Sequence, residues 1–224
     1  MERVALAGLD ADVSSALAAV ADALDAPRKP STLAPFEPAP PPSGRLNTDT
    51  LAAAVAHILP DHAIVMDEGA TSSPSLYGAL ACAAPHAWLT LTGGAIGQGL
   101  PCATGAAIAC PDRKVLAFQA DGSGLYTLQA LWTQAHESLD VTTVVCANRA
   151  YRILQVEMLR AGSDARGAAV RALTELTGPE LDWVMLASGM GVPAVRVEDA
   201  DSLVHALGRA LTEPGPHLVE AILT

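Results

Sequence analysis

Positive charge and aromatic rings are what this chain has least of. Lys and Arg number 13 against 24 Asp and Glu, giving a formal net charge of −11. No basic run interrupts that acidic excess, so a polyphosphate backbone finds no footprint and nucleic acid is excluded as a partner. Aromatic residues are 4% of the chain while hydrophobic residues are 50%, so any core is assembled from many small aliphatic contacts. Long apolar runs are absent too. None spans a bilayer, and the first residues lack a basic segment followed by an apolar one. The expectation is a cytoplasmic protein with no membrane partner. Cys82, Cys102, Cys110 and Cys146 form no C-x-x-C pair and read as small buried hydrophobes, not as disulfides or zinc ligands. The histidines are scattered, with no metal-ligand neighbour at helical spacing.

What is present is organised around Gln119 to Tyr151. An apolar run over 114–119 reads as a buried strand and breaks at Ala120-Asp-Gly-Ser-Gly124. Residues 125–136 have helical spacing, and a second apolar run over 141–147 delivers Asn148. Strand, Gly-rich turn, helix, strand places an acid and an amide side by side at the edge where α/β sheets bind ligands. Asp121 offers an anionic oxygen and Asn148 a neutral carbonyl oxygen, a donor set suited to Mg²⁺ that completes its octahedron with phosphate and water. Gly122 and Ser123 fall at the expected helix N-terminus, where free N–H groups favour a phosphate. Taken singly, Asp-Gly is an ordinary turn and Asn148 an ordinary loop residue.

Together the pieces resemble the Gly-Asp-Gly…Asn-Asn signature of thiamine diphosphate (ThDP) enzymes. The likeness is to the acetolactate synthase and benzoylformate decarboxylase branch, through Ala120-Asp-Gly-Ser123, Leu128-Gln-Ala-Leu-Trp-Thr133 and Ala147-Asn-Arg-Ala-Tyr151. Ala120 replaces the first glycine and Ala147 the first asparagine. The resemblance implies ThDP and Mg²⁺ as cofactors. It implies Asp121, Asn148 and the carbonyl of Ala150 as metal ligands, with Asn148 and Tyr151 also at the cofactor.

Before that stretch the chain divides. Residues 1–26 carry one helical pattern starting near Asp12 or Ser14, which must dock on something in this chain or on something outside it. Seven prolines follow between Pro27 and Pro42, and residues 27–46 read as a semi-rigid linker, with a proline-rich recognition ligand as the competing idea. From residue 47 the pattern is a helix over 48–59, a strand over 63–66 and a polar loop, Asp67 to Ser73. In that loop Thr71 and Ser72 either donate to phosphate or merely cap the next helix. The resembled branch has a comparable Glu-x-x-Thr/Ser loop that touches the diphosphate.

A short strand over 87–91 ends in Thr92-Gly-Gly-Ala-Ile-Gly-Gln-Gly-Leu-Pro101. Its spacing is not G-x-G-x-x-G, which argues against a dinucleotide site. It resembles instead the Gly-Leu-Pro turn of ThDP enzymes. That likeness implies that the carbonyl of Gly94 and the N–H of Ile96 bind the aminopyrimidine while the Ile96 side chain props the cofactor. The alternative for Ile96 is core packing.

After Tyr151 comes a helical pattern to Leu159, then a Gly-containing stretch to Gly178 that is either a lid or plain loop. Leu154 stands where pyruvate-type decarboxylases carry a glutamate, which counts against that chemistry. A helix over 181–188, a strand over 193–197, a helix over 201–211 and a strand over 217–223 complete the count. The expected fold is α/β, a doubly wound six-stranded mostly parallel sheet with helices on both faces.

The resemblance covers residues 47–224, the diphosphate domain. Residues 1–26 would then be the remnant of a preceding domain. It implies a small 2-oxo acid substrate, and a pyrimidine-binding domain or chain, in a homo-oligomer, supplying the activating glutamate, so no catalytic residue is assigned in this chain. Two other readings remain open at this point: a catalytically silent or interface module, and a different phosphate- or nucleotide-binding α/β enzyme.

Overall fold

The computed structural model describes residues 5–8, 10–29, 32–164 and 167–224. It forms two units, one ending at Pro35 and one spanning Phe36–Thr224. The first contains helix α1 (Val13–Ala23), capped by Asp12, whose carboxylate takes the Ser14 N–H at 3.0 Å and the Ser15 hydroxyl at 2.6 Å.

The second unit is built on six strands: β1 (Ile64–Glu68), β2 (Ala87–Thr90), β3 (Val115–Ala120), β4 (Val141–Ala147), β5 (Ala194–Val197) and β6 (His217–Ile222). Every pairing between them is parallel, in the order β2-β1-β3-β4-β6-β5. β4 is buried along its whole length, as a strand covered on both faces must be. Alternation assigns the faces. Val65, Leu116, Phe118, Val144, Cys146 and Val219 pack against α2 (Thr48–Ile58), α3 (Ser73–Leu80) and α9 (Ala200–Thr212). Ile64, Met66, Val115, Ala117, Val145 and Leu218 face the other way, under α4 (Gly99–Ala109), α5 (Ala130–His136) and α8 (Trp183–Gly189). This is the doubly wound sheet the strand count predicts. Two further helices, α6 (Arg152–Arg160) and α7 (Ala168–Thr174), follow β4.

The winding reverses at β1. The chain leaves β1 through α3 on one face to reach β2, then crosses under α4 on the other face to β3. Neighbouring connections that diverge leave a crevice beyond the carboxyl ends of β1 and β3, the position where such sheets bind ligands.

Several local expectations are corrected. The helix read over 125–136 is two pieces, a 3-10 turn at Ser123–Tyr126 and α5 from Ala130. The chain is tight here because a side chain on Gly124 would meet the Trp183 ring and Gln119, at 2.7 and 2.8 Å. Of the cysteines only Cys146 is buried; Cys102 is exposed, on the solvent side of α4, and all four are free thiols. The stretch after Leu159 is not plain loop, since α7 lies within it and Leu176 N–H and Tyr151 N–H tie its far side back to Arg149 and Thr174 at 2.8 and 2.7 Å. Residues 165 and 166 of that stretch lie outside the described residues. The proline-rich segment is in contact with the sheet unit from Glu37 on, through Glu37 N–H to the Cys82 carbonyl at 2.9 Å and His57 Nδ1 to the Ala39 carbonyl at 2.7 Å. No helix among the described residues is long and apolar enough to cross a membrane.

Because α9 holds Leu207 wholly inside the first-face core, Leu207→Ala is expected to destabilise the protein by about 2–5 kcal/mol. Urea titration checks this, the midpoint falling with an unchanged slope.

Candidate functional site

Asp121 is the first residue beyond β3 and is 3% exposed. A buried carboxylate must be hydrogen-bonded, and here main chain does it from two strands' ends. Gly122 N–H donates to Oδ1 at 2.9 Å and Arg149 N–H to Oδ2 at 2.6 Å. Arg149 can reach because its φ is 58°, a left-handed conformation that few non-glycine residues adopt. Those two bonds favour the anion but burial outweighs them, and the Asp121 carboxyl is pushed up from 3.8 to about 6. Beside it, Asn148 follows the end of β4 and its Oδ1 accepts the Ala150 N–H at 3.0 Å. The Ala150 carbonyl accepts Arg152 N–H at 2.8 Å, which leaves its second lone pair. Asp121 and the Asn148 loop are thus brought together as the sequence pattern predicts. Among the described residues no three His, Cys, Asp or Glu side chains cluster so as to hold a metal ion; the oxygen set here contains one carboxylate.

Gly122 sits under an aromatic lid. A Cβ there would collide with Cε1 of Tyr151 and come within 2.8 Å of its Cδ1. Only glycine fits between the Tyr151 ring and the turn.

The neighbouring donors are rearranged relative to expectation. Gly122 N–H is spent on Asp121, and the Ser123 hydroxyl, 7% exposed, accepts from Gln119 Nε2 at 2.8 Å and donates to the Ala120 carbonyl at 3.3 Å. Ser123 therefore cannot turn its hydroxyl to a phosphate without breaking that pair. The donors at this corner are the unsatisfied N–H groups that open the 3-10 turn. Ser72 is likewise buried, 2% exposed, near the Cys146 thiol, which burial pushes up to about 12. Its neighbour Thr71 is half-buried.

The Gly-rich turn comes to the same place. Gly93, Gly94 and Gly97 have φ of 65°, 69° and 93°, values that only glycine adopts freely. Thr127 hydroxyl donates to the Gly97 carbonyl at 3.0 Å, so the turn rests on the segment that follows Asp121. Ile96 is 46% exposed and so is not core packing.

Glu68, read from sequence as part of the polar loop after the first strand and given no role of its own, ends β1 instead and has a definite job. It is 1% exposed, and its oxygens accept Gly97 N–H at 2.7 Å and Gly99 N–H at 2.5 Å. Its register partner on β3 is Gln119. The 29- and 31-residue separations leave no local signal. Ala147, which replaces the first asparagine of the resembled signature, is 3% exposed and its carbonyl takes Leu223 N–H at 2.9 Å. Two cavities, about 580 Å³ beside β5 and α9 and about 450 Å³ between α6 and α7, are lined by neither Asp121 nor Asn148; donor chemistry marks the site.

Comparisons with known proteins agree on one family. The model for the "Thiamine pyrophosphate enzyme, C-terminal TPP binding domain" matches residues 69–221. The chain is 47% identical over 215 residues to "Putative acetolactate synthase large subunit IlvX" of Mycobacterium tuberculosis, covering 94% of this chain and 41% of that protein. It is 36% identical over 146 residues to a chloroplastic acetolactate synthase of Oryza sativa, covering 62% of this chain and 22% of that one. Among solved structures, a ThDP-dependent 4-hydroxybenzoylformate decarboxylase of Rhodococcus jostii superposes with a TM-score of 0.75 at 28% identity, over 95% of this chain and 39% of that one. The chain spans less than half the length of each.

Two outcomes follow from the site's geometry. Gly122→Ala must displace the Tyr151 ring and is expected to lower stability by about 1–3 kcal/mol, read from chemical denaturation; Gly122→Ala combined with Tyr151→Ala should recover much of it. In metal-free protein Asp121 should titrate near pH 6 by carboxyl ¹³C NMR. Since its folded value is raised, the stability linked to its proton is present below about 3.8 and is lost as pH rises through about 6. A divalent cation held there should shift the midpoint down.

Proposed function

The chain belongs to the family of thiamine pyrophosphate enzyme C-terminal TPP-binding domains, and from that premise we propose that it anchors the Mg²⁺-diphosphate end of ThDP in a 2-oxo acid decarboxylase or carboligase of acetolactate synthase type. The observation that carries this is the pairing of Asp121 with the Asn148 loop at the sheet's switch crevice. The fit is chemical. Asp121, Asn148 and the Ala150 carbonyl present only hard oxygens with a single negative charge, which suits a cation that arrives with phosphate oxygens of its own. Thr71 and the opening N–H groups of the 123–126 turn would take the diphosphate, under the Tyr151 ring. The Gly94 carbonyl and Ile96 N–H would take the aminopyrimidine, with the half-exposed Ile96 side chain as its prop.

Held there, ThDP would supply the electron sink for decarboxylation of a small 2-oxo acid. The glutamate that activates the pyrimidine ring would come from a pyrimidine-binding domain or chain, in a cytoplasmic homo-oligomer. The 224 residues alone would bind cofactor without turnover. A second reading, a catalytically silent module of the same fold, is favoured by the burial of Ser72 and the inward-held hydroxyl of Ser123.

Calorimetric titration with ThDP, in Mg²⁺ and then in EDTA, separates the two. Binding that requires Mg²⁺ and falls at least about tenfold in Asp121→Ala, on the order of 1.4 kcal/mol, supports the anchor. Absence of binding both alone and with a pyrimidine-domain partner added supports the silent module. Detectable 2-oxo acid turnover by the chain alone overturns the two-part reading.

A further inference from the structure

Glu68 is a buried carboxylate with no metal-ligand role in this arrangement and, among the described residues, no cation paired with it. Each of its two oxygens instead takes one main-chain N–H of the Gly-rich turn, Gly97 at 2.7 Å and Gly99 at 2.5 Å. Two anion-to-amide bonds from one rigid strand end fix two points of a segment that glycine leaves otherwise free. The second point is enforced sterically. A Cβ on Gly99 would lie 2.7 Å from both Glu68 Oε2 and Gln119 Oε1, so the chain passes between these two side chains with no room to spare. Gln119 Oε1 is buried without a partner, while its Nε2 holds Ser123 Oγ at 2.8 Å. On the opposite side Thr127 holds the Gly97 carbonyl, so Gly97 is fixed through both its N–H and its C=O. Residue 96 precedes it directly, and its exposed side chain and N–H are presented from this double anchor.

We infer that Glu68 is a positioning residue for the Gly93–Gly99 turn, holding Gly94 and Ile96 in the conformation that receives an aminopyrimidine ring while taking no part in holding the diphosphate. This rests on the cofactor reading above. Its consequence is a split in ligand recognition. Loss of the carboxylate should loosen one end of the cofactor site and leave the other intact.

The experiment uses the full chain with Glu68→Gln, and with Thr127→Val as a milder variant that removes the opposite anchor. Amide hydrogen exchange at Gly97 and Gly99 is measured without cofactor, and calorimetry compares ThDP with inorganic diphosphate, each with Mg²⁺. In Glu68→Gln, exchange at both glycines should accelerate at least tenfold and ThDP affinity should fall at least tenfold, with inorganic diphosphate unchanged within twofold. Thr127→Val should show the same selectivity at roughly threefold. Unchanged exchange at Gly97 and Gly99 overturns the inference, as does equal loss of ThDP and diphosphate, which would mark Glu68 as a general fold residue. Should Glu68→Gln fail to fold, the Thr127→Val comparison decides by the same two criteria. If the wild-type chain binds diphosphate but not ThDP, the cofactor reading fails; exchange at the two glycines still decides whether Glu68 holds the turn.

Discussion

The burial of one carboxylate organises this protein's functional edge. Asp121 leaves β3 pointing into protein rather than water, and its charge is tolerable only because Gly122 and Arg149 each bring a main-chain N–H to it. That requirement sets the rest. Arg149 adopts a left-handed φ to reach, which turns the chain after Asn148 so that Ala150 and Tyr151 come back over the Asp121 turn. Tyr151 then covers Gly122, and Gly122 must lack a side chain. One electrostatic demand thus accounts for an unusual backbone angle, a glycine and the placement of an aromatic ring.

A second buried carboxylate, Glu68, does for the neighbouring strand what Asp121 does for β3. Both sit at carboxyl ends of adjacent parallel strands, at the point where the sheet's winding reverses. Both are satisfied by backbone N–H groups, Glu68 by two from a distant turn and Asp121 by one from its neighbour Gly122 and one from distant Arg149. Their outlooks differ. Both Glu68 oxygens are engaged by one turn, so its charge serves architecture, whereas Asp121 and the Asn148 loop offer oxygen lone pairs to the crevice. The edge therefore separates into a zone that shapes main chain and a zone able to hold a cation with its anionic ligand. The charge left on Asp121 by burial, ionised only above about pH 6 without a partner, makes that second zone responsive to a metal.

Much of this was legible in the amino-acid sequence. The six apolar runs found their strands to within two residues at most ends, because strands covered on both faces must be apolar throughout, and β4 matches its run at Val141 and Ala147. The juxtaposition of Asp121 and Asn148 followed from parallel adjacency alone. What was not legible was where side chains travel. The helix read from Leu125 starts only at Ala130, after a 3-10 turn whose Gly124 lies against Trp183, nearly 60 residues on. Ser72 is buried near Cys146 of another strand, and Glu68 anchors a turn 29 residues away. Periodicity reports which face a residue lies on; it carries no record of contacts made across the sheet.

The central claim is that these residues hold a metal-bridged diphosphate, and paramagnetic ³¹P NMR of ThDP tests it most directly, with Mn²⁺ replacing Mg²⁺. The account predicts that the wild-type chain broadens both phosphorus resonances well beyond free Mn²⁺–ThDP and that Asp121→Ala abolishes the excess. Equal broadening with and without Asp121 would contradict it.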